Sequence, residues 1–222
     1  MFSIGKKGKK MIFKQIRSGG DRNFGYLIGC ETSRQACLVD PSPDPHPCFE
    51  EVQKQGMTVK HVVNTHSHFD HASGNSFFSK KFAASVVAYK SISDCDKPVE
   101  DGSTLPLGEL TLSFLHTPGH TADSICLRVN DHLVTGDTLF VGKVGGTYSK
   151  EAAREEFTSL KRLMNLEDNL KVWPGHDYGV RETSTIGDEK KTNPFCLRLN
   201  NFEDFLWLKD NWAQYKIDHN ID

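Results

Sequence analysis

No stretch of this chain stays apolar for long enough to span a bilayer. The N-terminus shows neither the apolar segment nor the small-residue cleavage site of a signal peptide. Net charge is almost absent: a formal −2 over 222 residues gives no reason to expect nucleic acid or an anionic membrane as partner. The one basic run, Lys6-Lys7-Gly8-Lys9-Lys10, is short, glycine-interrupted and terminal, and reads as a solvated, partly disordered tail. The six cysteines form no C-x-x-C pair and none lies in a histidine-bearing motif, which argues for free thiols in a reducing cytoplasm and against a disulfide framework. There is no internal repeat, no low-complexity domain and no serine nucleophile elbow.

What is present is an ordinary globular composition, 37% hydrophobic and 25% charged, sized for one large domain or one domain with a small appendage. Strand patterns fall at 11–16, 23–29, 35–40, 59–64, 84–88, 111–116, 124–129, 132–135 and 171–173. Asn130-Asp131 supplies turn chemistry between two of them. Helical patterns cover 49–55, 76–81, 151–165 and 202–215. Residues 41–47, with four prolines, read as a connector, and 94–106 as polar loop. Strands in runs broken by single helices indicate a layered α/β fold with mixed sheets. Residues 1–180 are expected to form the main domain, and 181–222 an extension with one amphipathic helix on it.

The chemistry gathers in Thr65-His66-Ser67-His68-Phe69-Asp70-His71, which follows an apolar β-branched run and precedes a helix start. Alternate residues of an extended segment point the same way, so His66 and His68 can grip one cation. Asp70 and His71 come round the next turn and can face a second. A carboxylate among imidazoles suits zinc, iron or manganese. His120, Asp137 and His176 have the same setting, a loop at a strand end beside glycine, and complete seven candidate ligands. His46, His61, His116, His132 and His219 lie in connector, strand or terminal patterns and read as structural or exposed.

These motifs resemble the metallo-β-lactamase superfamily, and within it the glyoxalase II-like hydrolases: T-H-x-H-x-D-H at 65–71, T-P-G-H-T at 117–121, G-D-T-L-F at 136–140 and G-H-D-Y at 175–178. The resemblance implies an αββα sandwich of two mixed sheets flanked by helices, with a short C-terminal helical extension. It implies two divalent metals, zinc first with iron or manganese as alternatives. His66, His68 and His120 would hold one; Asp70, His71 and His176 the other; and Asp137 would bridge them. A metal-bridging hydroxide would cleave a thioester or related ester, with Asp70 and Asp137 as the catalytic carboxylates. Asp40 and Thr65 are candidates to orient ligand imidazoles.

Tyr148, Tyr178 and Arg198 match substrate-binding positions of that group, Arg198 lying beside Asn193-Pro194-Phe195. Gly146 stands where the family has a lysine, and Lys143 is the candidate replacement. Residues 177–222 are too few for the full glutathione-binding domain of classical glyoxalase II. A mononuclear iron persulfide dioxygenase of the same fold, using His66, His120 and Asp137, is the alternative from another class, and a lactonase a third. The expected partner is a small-molecule thioester or ester, in a cytoplasmic protein for which a homodimer is admissible.

Overall fold

The computed structural model describes residues 10–221, so the expectation for the Lys6–Lys10 tail lies, Lys10 apart, outside the described residues. The chain builds β1 (Met11–Arg17), β2 (Phe24–Cys30) and β3 (Gln35–Val39), then α1 (His46–Lys54) and β4 (Thr58–Val63). The helices α2 (Phe69–Ala72) and α3 (Asn75–Phe82) lead into β5 (Ser85–Tyr89) and β6 (Lys97–Val99). These six strands make one mixed sheet in the order β1-β2-β3-β4-β5-β6, antiparallel at the β1 side and parallel from β3 onward.

The second half repeats the theme. β7 (Thr104–Leu107), β8 (Leu110–His116), β9 (Ile125–Val129) and β10 (His132–Gly136) are antiparallel neighbours. A ribbon of β11 (Leu139–Phe140) and β12 (Lys143–Val144) and then α4 (Lys150–Leu163) lead to β13 (Lys171–Pro174), which runs parallel to β10. β14 (Ser184–Thr185) closes that sheet's edge, and α5 (Ile186–Thr192), α6 (Phe202–Asp210) and α7 (Trp212–Asp218) follow.

The strands read as near-continuous apolar runs because both faces of each sheet are covered. Along β2, Phe24, Tyr26 and Ile28 face the other sheet, while Leu27 joins Leu38, Val52 and Phe78 beneath α1 and α3. Along β9 and β10, Leu127 and Val134 meet that central layer, and Cys126 and Leu133 turn the other way, under α4 to α6. Period-two alternation thus sorts each strand between two cores. The result is helix, sheet, sheet, helix. Ser149, Thr185 and Asn201 cap α4, α5 and α6 by accepting the amides of Ala152, Asp188 and Glu203. Asn130 takes a left-handed backbone in the β9–β10 turn, as its chemistry predicts.

Four expectations are corrected. Helix α1 begins at His46 within the proline-rich connector, with Pro47 in its first turn, where a missing amide costs nothing. Residues 94–106 are not all loop: β6 and β7 lie there, each at the edge of its sheet, the position where Pro98 and Pro106 are tolerated. The expected helix over 202–215 is two, broken at Asn211, whose φ of −113° is not helical. Among the described residues, 181–221 therefore carry three α-helices and a short 3-10 turn (Cys196–Arg198) where one helix was expected. The six cysteines are unpaired; burial pushes the Cys48 and Cys126 thiols up to about 12 and about 11, which suits core filling and not nucleophilic chemistry.

Phe114, fully buried between the sheets, tests this layering. Phe114→Ala should cost about 3–5 kcal/mol in denaturant unfolding; a loss under 1 kcal/mol would mean the central layer is not close-packed there.

Candidate metal centre

All seven predicted ligands converge, from the loops after β4, β8, β10 and β13. His66 Nε2 lies 3.0 Å from His68 Nδ1, which lies 3.1 Å from His120 Nε2. His71 Nε2 is 3.2 Å from His176 Nε2, and both are within 3.6 Å of Asp70 Oδ2. These are two triads whose donor atoms fit one cation each. Imidazole nitrogens sharing one zinc at about 2.0–2.1 Å would themselves stand about 3.3 Å apart. Asp137 lies between the triads: its Oδ2 is 3.6 Å from His120 Nε2 and 3.4 Å from His176 Nε2, and its Oδ1 is 3.5 Å from His71 Nε2. That Oδ1 is buried and has no hydrogen-bond donor. An orphaned carboxylate oxygen facing a ring of imidazole nitrogens fits a pair of bridged cations.

Four of the five rings are aimed by their other nitrogen, His68 being the exception. His71 Nδ1 donates to Asp40 Oδ2 (2.9 Å), and the same buried carboxylate accepts the amide and hydroxyl of Thr65 at 2.8 and 2.6 Å. His120 Nδ1 donates to the Gly146 carbonyl and His176 Nδ1 to that of Asp21, both at 2.8 Å. His66 Nδ1 has Thr65 Oγ1 at 3.2 Å. Asp70 accepts Asn23 Nδ2 at 2.9 Å. Partners of this kind fix tautomer and ring orientation, and both predicted orienting residues, Asp40 and Thr65, are among them.

The electrostatics agree. Burial holds His66 well below its ordinary value, with His71 adding to it, and burial lowers His120 too, so both present neutral lone pairs. Burial opposes the charged form of His71 as well, but the carboxylates of Asp40, Asp137 and Asp70 outweigh it and lift the ring to about 9. Burial would raise Asp137, yet its contact with His176 and the charge of His71 keep its carboxyl far below the usual range. The pocket is built for positive charge. Glycine makes the room: a Cβ at Gly175 would collide with Asp137 Oδ1, and Gly136, at φ +49°, has no space for one against Thr65.

The substrate-side residues divide. Tyr178 stacks on His176 with ring centroids 4.7 Å apart, and its hydroxyl donates to Asp21 Oδ2 at 2.6 Å. Burial, then Asp21, push that hydroxyl well above its ordinary value. Lys143 Nζ sits 4.7 Å over the same ring, and both residues line a cleft of about 710 Å³ beside the metal ligands. Tyr148 is 85% exposed and lines, with Lys143, a second cleft of about 610 Å³. Arg198 lines neither of these two clefts; it donates to the Pro194 carbonyl at 2.8 Å and lies over Tyr215.

The first cleft also holds Arg22, from the β1–β2 turn, Arg181, and Lys216, on α7, which sequence reasoning did not single out. None of them sits in a motif. Asn23 was missed too, although a buried polar residue opening an apolar strand is a usable signal. None of the five histidines set aside joins the centre: His116 stacks on Tyr89 and His132 on Trp173, while His46, His61 and His219 are absent from the metal-spaced groups.

Asp40→Ala should leave the fold intact and weaken metal affinity by about 10- to 100-fold in chelator competition; unchanged affinity would reduce Asp40 to a turn residue. The sequence model described as "Metallo-beta-lactamase superfamily" matches residues 19–94 and 87–176. The chain is 30% identical to hydroxyacylglutathione hydrolase of Pelagibacter ubique over 90% of this chain and 81% of that one. It is 29% identical to the human mitochondrial persulfide dioxygenase ETHE1, over 93% of this chain and 84% of that one. A crystal structure of ETHE1 from Myxococcus xanthus superposes with a TM-score of 0.84 at 34% identity, covering 91% of each chain. With its motifs, its two stacked sheets and its ligand-bearing loops all in the family's order, this chain belongs to the metallo-β-lactamase superfamily.

Proposed function

We propose that this protein is a dinuclear metal-dependent hydrolase of thioesters or related esters, acting on substrates with an anionic carrier group. The observation that carries the dinuclear reading is the independent anchoring of the second triad. Asp40 holds His71, the Asp21 carbonyl holds His176, and Asn23 holds Asp70. Each donor of the second triad thus has its own support, which favours a second occupied site, although persulfide dioxygenases of this fold retain the same ligands. In this reading His66, His68 and His120 hold one ion, Asp70, His71 and His176 the other, and Asp137 serves both. Two divalent ions, zinc first with iron or manganese as alternatives, would supply a hydroxide nucleophile at neutral pH and polarise the carbonyl under attack.

The chain's own residues do the rest. Asp137 can offer an oxygen to each triad because a carboxylate has two and an imidazole ring cannot be shared in that way. Asp70 is the partly exposed carboxylate of the second triad, open to an arriving substrate. Tyr178, stacked on His176, forms a wall of the cleft. Burial lowers Lys143, and the charges of Lys216 and Arg22 lower it further, so these three cations and Arg181 share the cleft with a single carboxylate, Asp21. Such a cluster is best satisfied by an anionic group on the substrate.

A second reading has one observation in its favour. The likeness to M. xanthus ETHE1 runs over nine-tenths of both chains, and in a persulfide dioxygenase the facial set His66, His120 and Asp137 would bind one iron. The two separate cleanly. Thiol release from an acyl-glutathione or acyl-coenzyme A panel under nitrogen supports the hydrolase. Oxygen uptake with a persulfide and no thiol release would replace it. For the hydrolase, Lys143→Ala and Lys216→Ala should each raise KM about 10-fold for an anionic thioester, the weight of one charge-assisted contact, with kcat nearly unchanged. Equal KM changes with an uncharged thioester would rule out the anionic carrier.

A further inference from the structure

A buried acid–base pair far from any predicted motif touches the loops that carry the centre. Glu156 on α4 is fully buried, and Lys209 on α6, its side chain 8% exposed, makes an ion pair with Glu156 Oε2. Lys209 Nζ also donates to the carbonyl of Gly145 at 2.7 Å. The next carbonyl, that of Gly146, accepts His120 Nδ1. Glu156 meets the other side of the same ligand: a side chain at Gly119, the residue before His120, would run into the Glu156 backbone. One turn on, Ser159 Oγ donates to the Pro118 carbonyl at 2.7 Å. Gly145 itself lies against the ring it helps to hold, since a Cβ there would come within 3.0 Å of His120 Cβ and Cγ.

A buried ion pair is weak as a source of stability, because desolvating two charges offsets their attraction, and a well-packed apolar pair often serves as well. Here the pair has a second occupation. From these contacts we infer that Lys209, anchored by Glu156, is a positioning residue for His120: it pins the Gly145–Gly146 backbone and thereby ties the C-terminal helix α6 to the geometry of the His66, His68 and His120 triad. The inference rests on reading that triad as a metal site. Glu156 touches no donor atom of the centre, and Lys209 reaches it only through two successive peptide carbonyls.

The double variant Glu156→Gln with Lys209→Met removes both charges together and leaves no lone buried ion. The probe is cobalt(II), added to metal-free full-length protein, read by its visible absorption and by chelator competition. The parent should bind two cobalt ions. The double variant should keep a parent-like melting temperature while one of the two ions binds at least about 10-fold more weakly and its absorption bands shift, the loss typical of an orienting partner. Parent-like affinity and bands in the folded double variant would overturn the inference and leave the metal centre standing. A parent that takes up no cobalt would overturn both.

Should the double variant not fold, Lys209→Arg probes the same tie. The guanidinium keeps the charge beside Glu156 but holds its donors in a fixed fork. It cannot address Gly145 and Glu156 as the ammonium does, so the bands should shift; an unchanged spectrum would overturn the inference.

Discussion

One carboxylate, Asp137, stands within 3.4–3.6 Å of imidazole nitrogens from both triads, and the rest of the centre is arranged around keeping it there. It is almost wholly buried, and His176, His71 and His66 favour its charged form against that burial. Two glycines clear the space: Gly136 turns the chain against Thr65, and Gly175 lets the last loop close over Asp137. The two sheets supply the frame. β10 and β13 run parallel and paired, so their ends deliver Asp137 and His176 side by side, while β4 brings His66 to His71 from the facing sheet. The centre lies where both sheets run out, and neither alone could form it.

Around that core the structure uses buried acids to hold backbone loops. Asp40 binds Thr65 and His71. Glu189 on α5 accepts the amide of Gly142 at 2.9 Å and the side chain of Asn193, whose amide in turn holds the Lys143 carbonyl. Glu156 with Lys209 does the same for Gly145. Asn193-Pro194-Phe195 thus acts as a brace for the β11–β12 ribbon, and Phe195 as core. The C-terminal helices reach the centre through loop supports, and Lys216 on α7 reaches the cleft directly.

The ligand set was legible in the sequence because its chemistry is local. Four donors fall within one strand end and the turn after it, and the other three repeat that setting beside glycine. Of the supports, Asp40 and Thr65 were legible, and the rest were not because they are made by the fold. The Asp21 carbonyl meets His176, the Gly146 carbonyl meets His120, and Glu156 meets Lys209, across spans that no spacing rule covers. Proximity in sequence to Asn193-Pro194-Phe195 likewise does not decide which way the Arg198 side chain points, and it turns to Pro194 and Tyr215. Arg22 and Lys216 reach the cleft from opposite ends of the chain. The edge strands β6 and β7 escaped notice because their prolines and polar faces are what an edge position permits.

Whether both triads are metal sites sharing Asp137 can be decided by elemental analysis of full-length protein, purified without chelator and without added metal. A shared dinuclear centre requires about two zinc, iron or manganese ions per chain, falling to none in Asp137→Ala. About one iron per chain, unchanged when His71 or His176 is replaced by alanine, would contradict it and leave the second triad without a role.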